Sequence, residues 1–117
     1  MNYKSVLVFI IMAIGAAFPA INTGKIVSLK YCFETYQIDT NEAYDNCDKG
    51  IIKVKFLDNT KIQRLVWFEM NNNESNGKLL MSILLTAKST SQDVTIYYDT
   101  GANWFGTGGK IFSIEPK

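Results

Sequence analysis

The chain lacks most of the side chains on which catalysis and metal binding depend. It has 117 residues, no histidine and only two cysteines, and it contains no Gly-x-Ser-x-Gly or His-Glu-x-x-His pattern. Histidine is a common general base and the commonest metal ligand, so its absence removes whole classes of active site. A pair of catalytic carboxylates stays open, although no motif supports one. We therefore predict a noncatalytic protein with no metal site and no cofactor.

An excess of charge of one sign is missing as well. The 12 basic residues are nearly matched by 11 acidic ones, and no run of lysine or arginine occurs. Binding to nucleic acid depends on a basic face that neutralises phosphates. The acidic residues of one polar segment, Asp39, Glu42, Asp45 and Asp48, lack the residue order of a calcium-binding loop. The composition therefore argues against nucleic acid and against calcium as partners.

A long hydrophobic run is present only at the N-terminus. Val6 to Ala17 is an unbroken apolar stretch that follows a single lysine. The pattern is typical of a secretory signal peptide, whereas a membrane span needs about 20 apolar residues. Cleavage after Ala17 and cleavage after Ala20 both stay open. We predict a signal peptide over residues 1–20, a single domain over residues 21–117, and a secreted or periplasmic protein without a membrane span after cleavage.

The two cysteines, Cys32 and Cys47, are interpreted in the light of this export. An exported chain meets an oxidising environment, in which a pair of cysteines forms a disulfide. Closing a loop of about 15 residues in this way stabilises a small domain by about 3 kcal/mol. Neither a Cys-x-x-Cys pair nor a histidine is present to favour metal binding or redox chemistry. We therefore predict a Cys32–Cys47 disulfide.

Hydrophobic periodicity predicts a mainly β domain with five strands and one helix. Leu80, Ile83, Leu84 and Ala87 recur at the spacing of one helical face, and apolar and polar residues alternate in the strand segments. The resulting β-β-β-α-β-β order is that of an OB-fold-like five-stranded barrel. A small α+β sandwich with the same order stays open. The predicted strands are Gly24–Phe33, Ile51–Leu57, Lys61–Met70, Val94–Asp99 and Lys110–Glu115.

The same alternation predicts which side chains face the core. The apolar residues of the first strand share one side, namely Val27, Leu29, Tyr31 and Phe33. The apolar residues of the second strand point inward, namely Ile52, Val54 and Phe56. Lys53 and Lys55 alternate with them, so we expect both on a solvated outer surface. Asn73 or Ser75 is expected to cap the helix.

Three aromatic residues lie together where the fourth strand gives way to a turn, namely Tyr97, Tyr98 and Trp104. Aromatic rings pack on the apolar faces of sugars, and a phenol or a nearby carboxylate bonds to the sugar hydroxyl groups. The alternative is packing in the core, which the alternation of Val94, Ile96 and Tyr98 favours for Tyr98. Both interpretations stay open on residue chemistry alone.

The segment from Leu79 to Trp104 also resembles a known family. An apolar helix and a short polar turn precede the sequence V-T-I-Y-Y, which ends at Tyr98, and Gly101 and Trp104 follow. This pattern is similar to that of the receptor-binding B subunits of subtilase cytotoxin and typhoid toxin. The chain resembles a short, divergent relative of these bacterial proteins, because it has no cysteine after Cys47.

The resemblance implies a sugar site and partners. The second tyrosine of the family's strand lines a sialoglycan pocket and matches Tyr98, while a Ser-Gly pair that contacts the sugar matches Thr23 and Gly24. Asp99 and Trp104 are expected nearby. The implied protein is a secreted, noncatalytic subunit that binds a host cell-surface glycan, forms a homopentamer and accompanies a catalytic toxin subunit.

Two other classes of function stay open. The chain is an exported OB-like interaction or structural domain if its tyrosines only pack. It is an enzyme inhibitor if the segment from Glu34 to Gly50, held by the disulfide, is a contact surface.

Overall fold

A computed structural model describes residues 19–35, 47–71 and 76–117 of the protein. Five strands and one α-helix lie in this part of the chain, in the predicted order β-β-β-α-β-β. A short 3-10 helix, Thr100–Ala102, follows the fourth strand. The elements are β1 (Pro19–Tyr31), β2 (Ile51–Asp58), β3 (Gln63–Glu69), α1 (Gly77–Thr90), β4 (Asp93–Asp99) and β5 (Lys110–Pro116).

Several sequence-based predictions fall outside the described residues. They concern most of the signal peptide, the possible helix caps Asn73 and Ser75, and the polar residues from Tyr36 to Asn46. Pro19 and Ala20, the last two residues of the predicted signal peptide, belong to β1 and pair with β4. Cleavage after Ala17 would therefore leave β1 whole, whereas cleavage after Ala20 would remove two of its residues.

The strands close into an OB-fold-like barrel in the order β1-β2-β3-β5-β4, as predicted. All neighbouring strands are antiparallel except β3 and β5, which are parallel and share only the pair Trp67 and Lys110. Two backbone hydrogen bonds complete this junction. The amide of Trp67 donates to Gly109 O at 3.1 Å, and the amide of Gly108 donates to Leu65 O at 2.7 Å. The β3–β5 junction thus has the fewest paired residues of the five strand junctions in the barrel.

Strand β1 closes the barrel because its two halves have different partners. Its first half pairs with β4 and its second half with β2, and Gly24 pairs with both Val94 and Asp58. Gly24 is buried, and a Cβ atom there would collide with the carbonyl of Leu57. Glycine is therefore required where the two neighbouring strands come closest to β1.

A β-bulge in β1 makes one predicted side-chain direction wrong. The pairing with β2 shifts by one residue between Ile26 and Ser28, so Val27 is the extra residue. Ile26 is buried and Val27 is 47% exposed, whereas Leu29 packs on the core as expected. Phe33 lies beyond the end of β1 and is 76% exposed. The prediction that the apolar residues of β1 share one core-facing side is therefore wrong for Val27 and for Phe33.

Strand β2 carries the centre of the core and also a buried lysine. Ile52, Val54 and Phe56 are fully buried and point inward, as predicted. Lys53 is only 2% exposed, so its predicted position on a solvated surface is wrong. It pairs with Trp67 across the strands, on the outer face of the barrel. A second apolar cluster covers this face and consists of Cys32, Cys47, Ile51 and Trp67.

The predicted disulfide is present and fastens the residues after β1 to the start of β2. Cys32 and Cys47 are bonded, with their Cα atoms 6.1 Å apart, and both are 1% exposed. The amide of Cys32 also donates to Ile51 O at 2.9 Å. The disulfide therefore belongs to the apolar cluster on the outer face as well as closing a loop.

Helix α1 packs its apolar face on the barrel. Of the four residues on the predicted face, Leu80, Leu84 and Ala87 are buried in the main core, whereas Ile83 is only partly buried. The helix ends at a left-handed residue, Ser91, whose amide reaches the carbonyls of the last turn. Its first residue, Gly77, is buried, and a Cβ atom there would collide with the carbonyls of two residues at the end of β3.

We predict that Gly77→Ala lowers the stability of the protein although alanine is the better helix former. The gain in helix propensity is about 1 kcal/mol, whereas the added methyl group meets fixed backbone oxygens. Overpacking of this kind costs about 1–3 kcal/mol before any compensation. Urea denaturation should give a lower free energy of unfolding than for wild type. Ser82→Ala, on the exposed face of the same helix, should be neutral or slightly stabilising. An equally stable Gly77→Ala variant would show that the β3 end moves freely.

Candidate functional site

Tyr98, the main predicted contact residue, points into the barrel. It is 4% exposed and belongs to the main core. Its hydroxyl donates to Asn22 Oδ1 at 2.6 Å. The ring also packs against the chain before β5, because a Cβ atom on Gly109 would lie 2.8 Å from Tyr98 Cδ2. Strand parity had indicated this inward direction.

Thr23 lies on the other face of the sheet. It pairs with Thr95, and the two Oγ1 atoms are 2.8 Å apart. Val94 and Ile96, on either side of Thr95, are buried in the core, so Thr95 and its partner Thr23 point outward. Thr23 and Tyr98 therefore do not face a common space within the described structure.

Asp99 and Trp104 have separate surroundings. Asp99 Oδ1 accepts a hydrogen bond from the Gly101 amide at 2.8 Å, which caps the short 3-10 helix. Trp104 is 58% exposed and stacks on Trp67, with ring centroids 5.7 Å apart. The four predicted contact residues thus occupy four different places.

A cleft does open beside Tyr98. Its volume is about 330 Å³, at the lower end of small-molecule sites. Its walls combine an aromatic ring edge with a guanidinium, an amide, a hydroxyl and an exposed stretch of backbone. The residues that line this Tyr98 cleft are Gln63, Arg64, Leu65, Tyr98, Thr100 and Gly108.

Arg64 is held in the wall of this cleft by a buried carboxylate. Arg64 Nε donates to Asp58 Oδ2 at 2.7 Å, and the arginine side chain is 35% exposed whereas that of Asp58 is 2% exposed. Asp58 Oδ1 also accepts from the hydroxyl and amide of Thr60, at 2.6 and 2.9 Å, and from the amide of Ile62 at 2.9 Å. Asp58 therefore fixes both the β2–β3 turn and the guanidinium.

These hydrogen bonds favour the ionised form of the pair. The side chain of Thr60, and after it that of Arg64, hold the pKa of the Asp58 carboxyl well below its usual range. Asp58 in turn raises the pKa of Arg64, with a smaller contribution from Tyr98. The cleft thus presents a permanently charged guanidinium beside a phenol.

Sequence reasoning missed Arg64 because it was interpreted only as part of the predicted strand Lys61–Met70, in which it belongs to no motif. One signal was available: Arg64 is the single arginine among 12 basic residues. Arginine provides a planar fork of donors that lysine does not provide. Its position six residues after Asp58 is not a recognisable motif, however, since only the turn brings the two side chains together.

Neither a metal site nor a membrane span is found in the described part of the chain. No three His, Cys, Asp or Glu side chains come together in residues 19–35, 47–71 and 76–117. Helix α1, the one α-helix of these ranges, is too short to cross a bilayer.

The depressed pKa of Asp58 predicts a specific loss of stability in acid. Because this pKa is lower in the folded protein than the ordinary value of 3.8, ionised Asp58 stabilises the fold above about pH 4. That contribution disappears as the pH falls below 3.8 towards the folded-state pKa. Asp58→Asn should lower the thermal midpoint at pH 7 by on the order of 5 °C or more.

Circular dichroism melts from neutral to strongly acidic pH would measure this effect. The wild-type and Asp58→Asn midpoints should approach each other in acid, whereas parallel curves would contradict the assignment. Asp48→Asn, a change at an exposed carboxylate, is the matched control and should leave the wild-type curve unchanged.

Comparison with known proteins gives matches among solved structures. No family model matches the chain, and no curated protein matches it either. Among four matching solved chains, one comes from a structure on the assembly of subtilase cytotoxin SubAB. It is 18% identical over 86% of each chain, with a TM-score of 0.48. The solved chains to which this protein is similar thus include one from an assembly of subtilase cytotoxin, which is also named in the sequence-based resemblance.

Proposed function

We propose that the protein is a secreted, noncatalytic glycan-binding subunit that holds a host sialoglycan in the Tyr98 cleft. The observation that carries the proposal is Arg64, the single arginine of the chain, fixed by Asp58 in the wall of a cleft large enough for one sugar ring. Sialic acids bear a carboxylate, and a guanidinium is the side-chain group best suited to bind one.

The other walls of the cleft complement the remaining parts of such a sugar. Asp58 accepts from Nε, so the terminal amino groups of Arg64 are the donors that we assign to the sugar carboxylate. The edge of Tyr98 and the side chain of Leu65 provide apolar contact area. Gln63 and Thr100 provide polar atoms for hydroxyl groups. Recognition in this proposal needs no proton transfer and no bond cleavage.

The predicted contact residues take different parts in this proposal. Tyr98 contacts the sugar through its ring edge, because its hydroxyl is bonded to Asn22. Asp99 precedes Thr100 at the margin of the cleft. Thr23 and Trp104 do not line the cleft and would meet only more distant parts of a longer glycan.

We predict that Arg64→Lys lowers affinity for a sialoside, such as sialyllactose, by about tenfold or more, because lysine keeps the charge but loses the fork of donors. Isothermal titration or ligand-observed NMR would measure the affinity. Thr60→Ala is the matched control, since it weakens the network around Asp58 without altering the lining of the cleft. It should reduce stability and leave affinity within about twofold. Unchanged affinity of Arg64→Lys would exclude the Tyr98 cleft as the site.

Single sugar sites are weak, so binding to a cell surface requires several copies acting together. We therefore include in the proposal a homopentamer and a catalytic toxin subunit as its partner. The signal-free, oxidised protein should have a native mass near five chains when light scattering is coupled to size exclusion. A monomer would remove the avidity that this mechanism needs.

The second candidate is an exported OB-like interaction or structural domain in which Tyr98 only packs. It is favoured by the 4% exposure of Tyr98 and by the internal hydrogen bond to Asn22. In that case Tyr98→Phe would act on stability alone, by about 1 kcal/mol for the loss of a partly buried hydrogen bond. No sialoside binding would exist for Arg64→Lys to change.

A further inference from the structure

The outer face of β3 carries an aromatic cluster, formed by Trp67, Trp104 and Phe105, which has no part in the Tyr98 cleft. Trp67 is 1% exposed although it points away from the barrel interior. The rings of Phe105 and Trp104 cover it at centroid distances of 5.0 and 5.7 Å. Trp67 Nε1 also donates to Ala102 O at 2.7 Å. The loop after β4 is therefore fastened firmly to the outside of the barrel.

A cleft of its own lies beside this cluster. It has a volume of about 300 Å³ and shares no lining residue with the Tyr98 cleft. Ile51, which is 4% exposed, and Phe105 provide its apolar surface. The residues that line this Phe105 cleft are Asp48, Lys49, Gly50, Ile51, Glu69, Asn71 and Phe105.

Phe105 holds an unusual backbone conformation at this place. Its φ angle is 58°, in the left-handed region that bulky residues rarely adopt. Such a conformation persists only where the surrounding structure imposes it, and it is common at ligand sites. Here the edge-to-face packing on Trp67, at an interplanar angle of 86°, holds the ring in place. A glycine at position 105 would avoid the strain but would leave the cleft without an aromatic wall.

We propose that the Phe105 cleft binds a neutral pyranose. One face of a pyranose ring is formed largely by C–H groups, which suit Phe105 and Ile51. Its hydroxyl groups donate to carboxylates and bond to amides, and Asp48, Glu69 and Asn71 supply these groups at the edge of the cleft.

The charge of the cleft distinguishes its ligand from that of the Tyr98 cleft. Two carboxylates and one ammonium group, on Lys49, line the Phe105 cleft, so an acidic sugar meets net repulsion there. The Tyr98 cleft has the opposite character, with the guanidinium of Arg64 in its wall. The second site goes beyond the proposed sialoglycan site and holds whether or not Tyr98 binds a sugar.

Both tryptophans of the chain belong to this cluster, so their fluorescence reports on it directly. Methyl galactoside, methyl glucoside and methyl mannoside would serve as probes in titrations to about 50 mM, which covers the millimolar range of weak sites. We expect a saturable fluorescence change with at least one of them. Amide shifts in heteronuclear NMR should cluster at Ile51, Asn71 and Phe105.

Two exposed asparagines provide a matched pair of variants. Asn71→Ala should weaken binding of the responding hexoside at least threefold, because it removes a polar group from the cleft. Asn59→Ala, in the β2–β3 turn, should leave binding unchanged. Glu69→Gln is a second test and should also weaken binding, since the amide is a poorer acceptor for sugar hydroxyls.

Three results would overturn the Phe105 site. They are the absence of a saturable response to all three hexosides, full affinity in both Asn71→Ala and Glu69→Gln, and amide shifts confined to the Tyr98 cleft. A methyl sialoside separates this proposal from the sialoglycan proposal, because it should perturb only the residues around Arg64. Hexoside binding at the Phe105 cleft without sialoside binding would support this site and contradict the sialoglycan site.

Discussion

The double pairing of β1 at Gly24 is the constraint on which the barrel and its clefts depend. Because Gly24 pairs with both Val94 and Asp58, β2 and β4 lie on either side of one residue. This register sets the end of β2, where Asp58 turns the chain and holds Arg64. The guanidinium is consequently positioned by strand pairing and by one buried carboxylate. A side chain at position 24 would disturb the closure and the cleft together.

The elements could be predicted from the sequence because their signals are local. The inward residues of β2 and the buried face of α1 follow directly from alternation and helical spacing. The bulge at Val27 could not be predicted from the sequence of β1 alone. A bulge is an extra residue relative to the partner strand, so its position depends on how β1 pairs with β2. The burial of Lys53 was missed for a related reason, since its cover comes from distant parts of the chain.

The candidate site was predictable only at Tyr98. Its inward direction followed from the alternation of β4, but its neighbours depend on contacts across the barrel. Arg64 is held in the wall of the cleft by its hydrogen bond to Asp58. Asp58 precedes it by six residues across a turn, and this spacing is not a motif from which the pairing could be predicted. Thr23 was predicted as a contact residue from a local match to a known family. That match does not indicate which face of β1 the side chain occupies, and Thr23 lies on the outer face, paired with Thr95.

Strands β3 and β5 share a single residue pair, so the barrel should open more easily between these two strands than between the others. Local opening begins where few hydrogen bonds and few buried contacts must be broken, and here the parallel junction between Trp67 and Lys110 is the thinnest part of the ring. The chain from Thr100 to Gly109 spans this junction, with Phe105 in one cleft and Gly108 in the other. Amide protons at the junction should therefore exchange with solvent earlier than those in the middle of β2, and a molecule held in either cleft would slow that exchange.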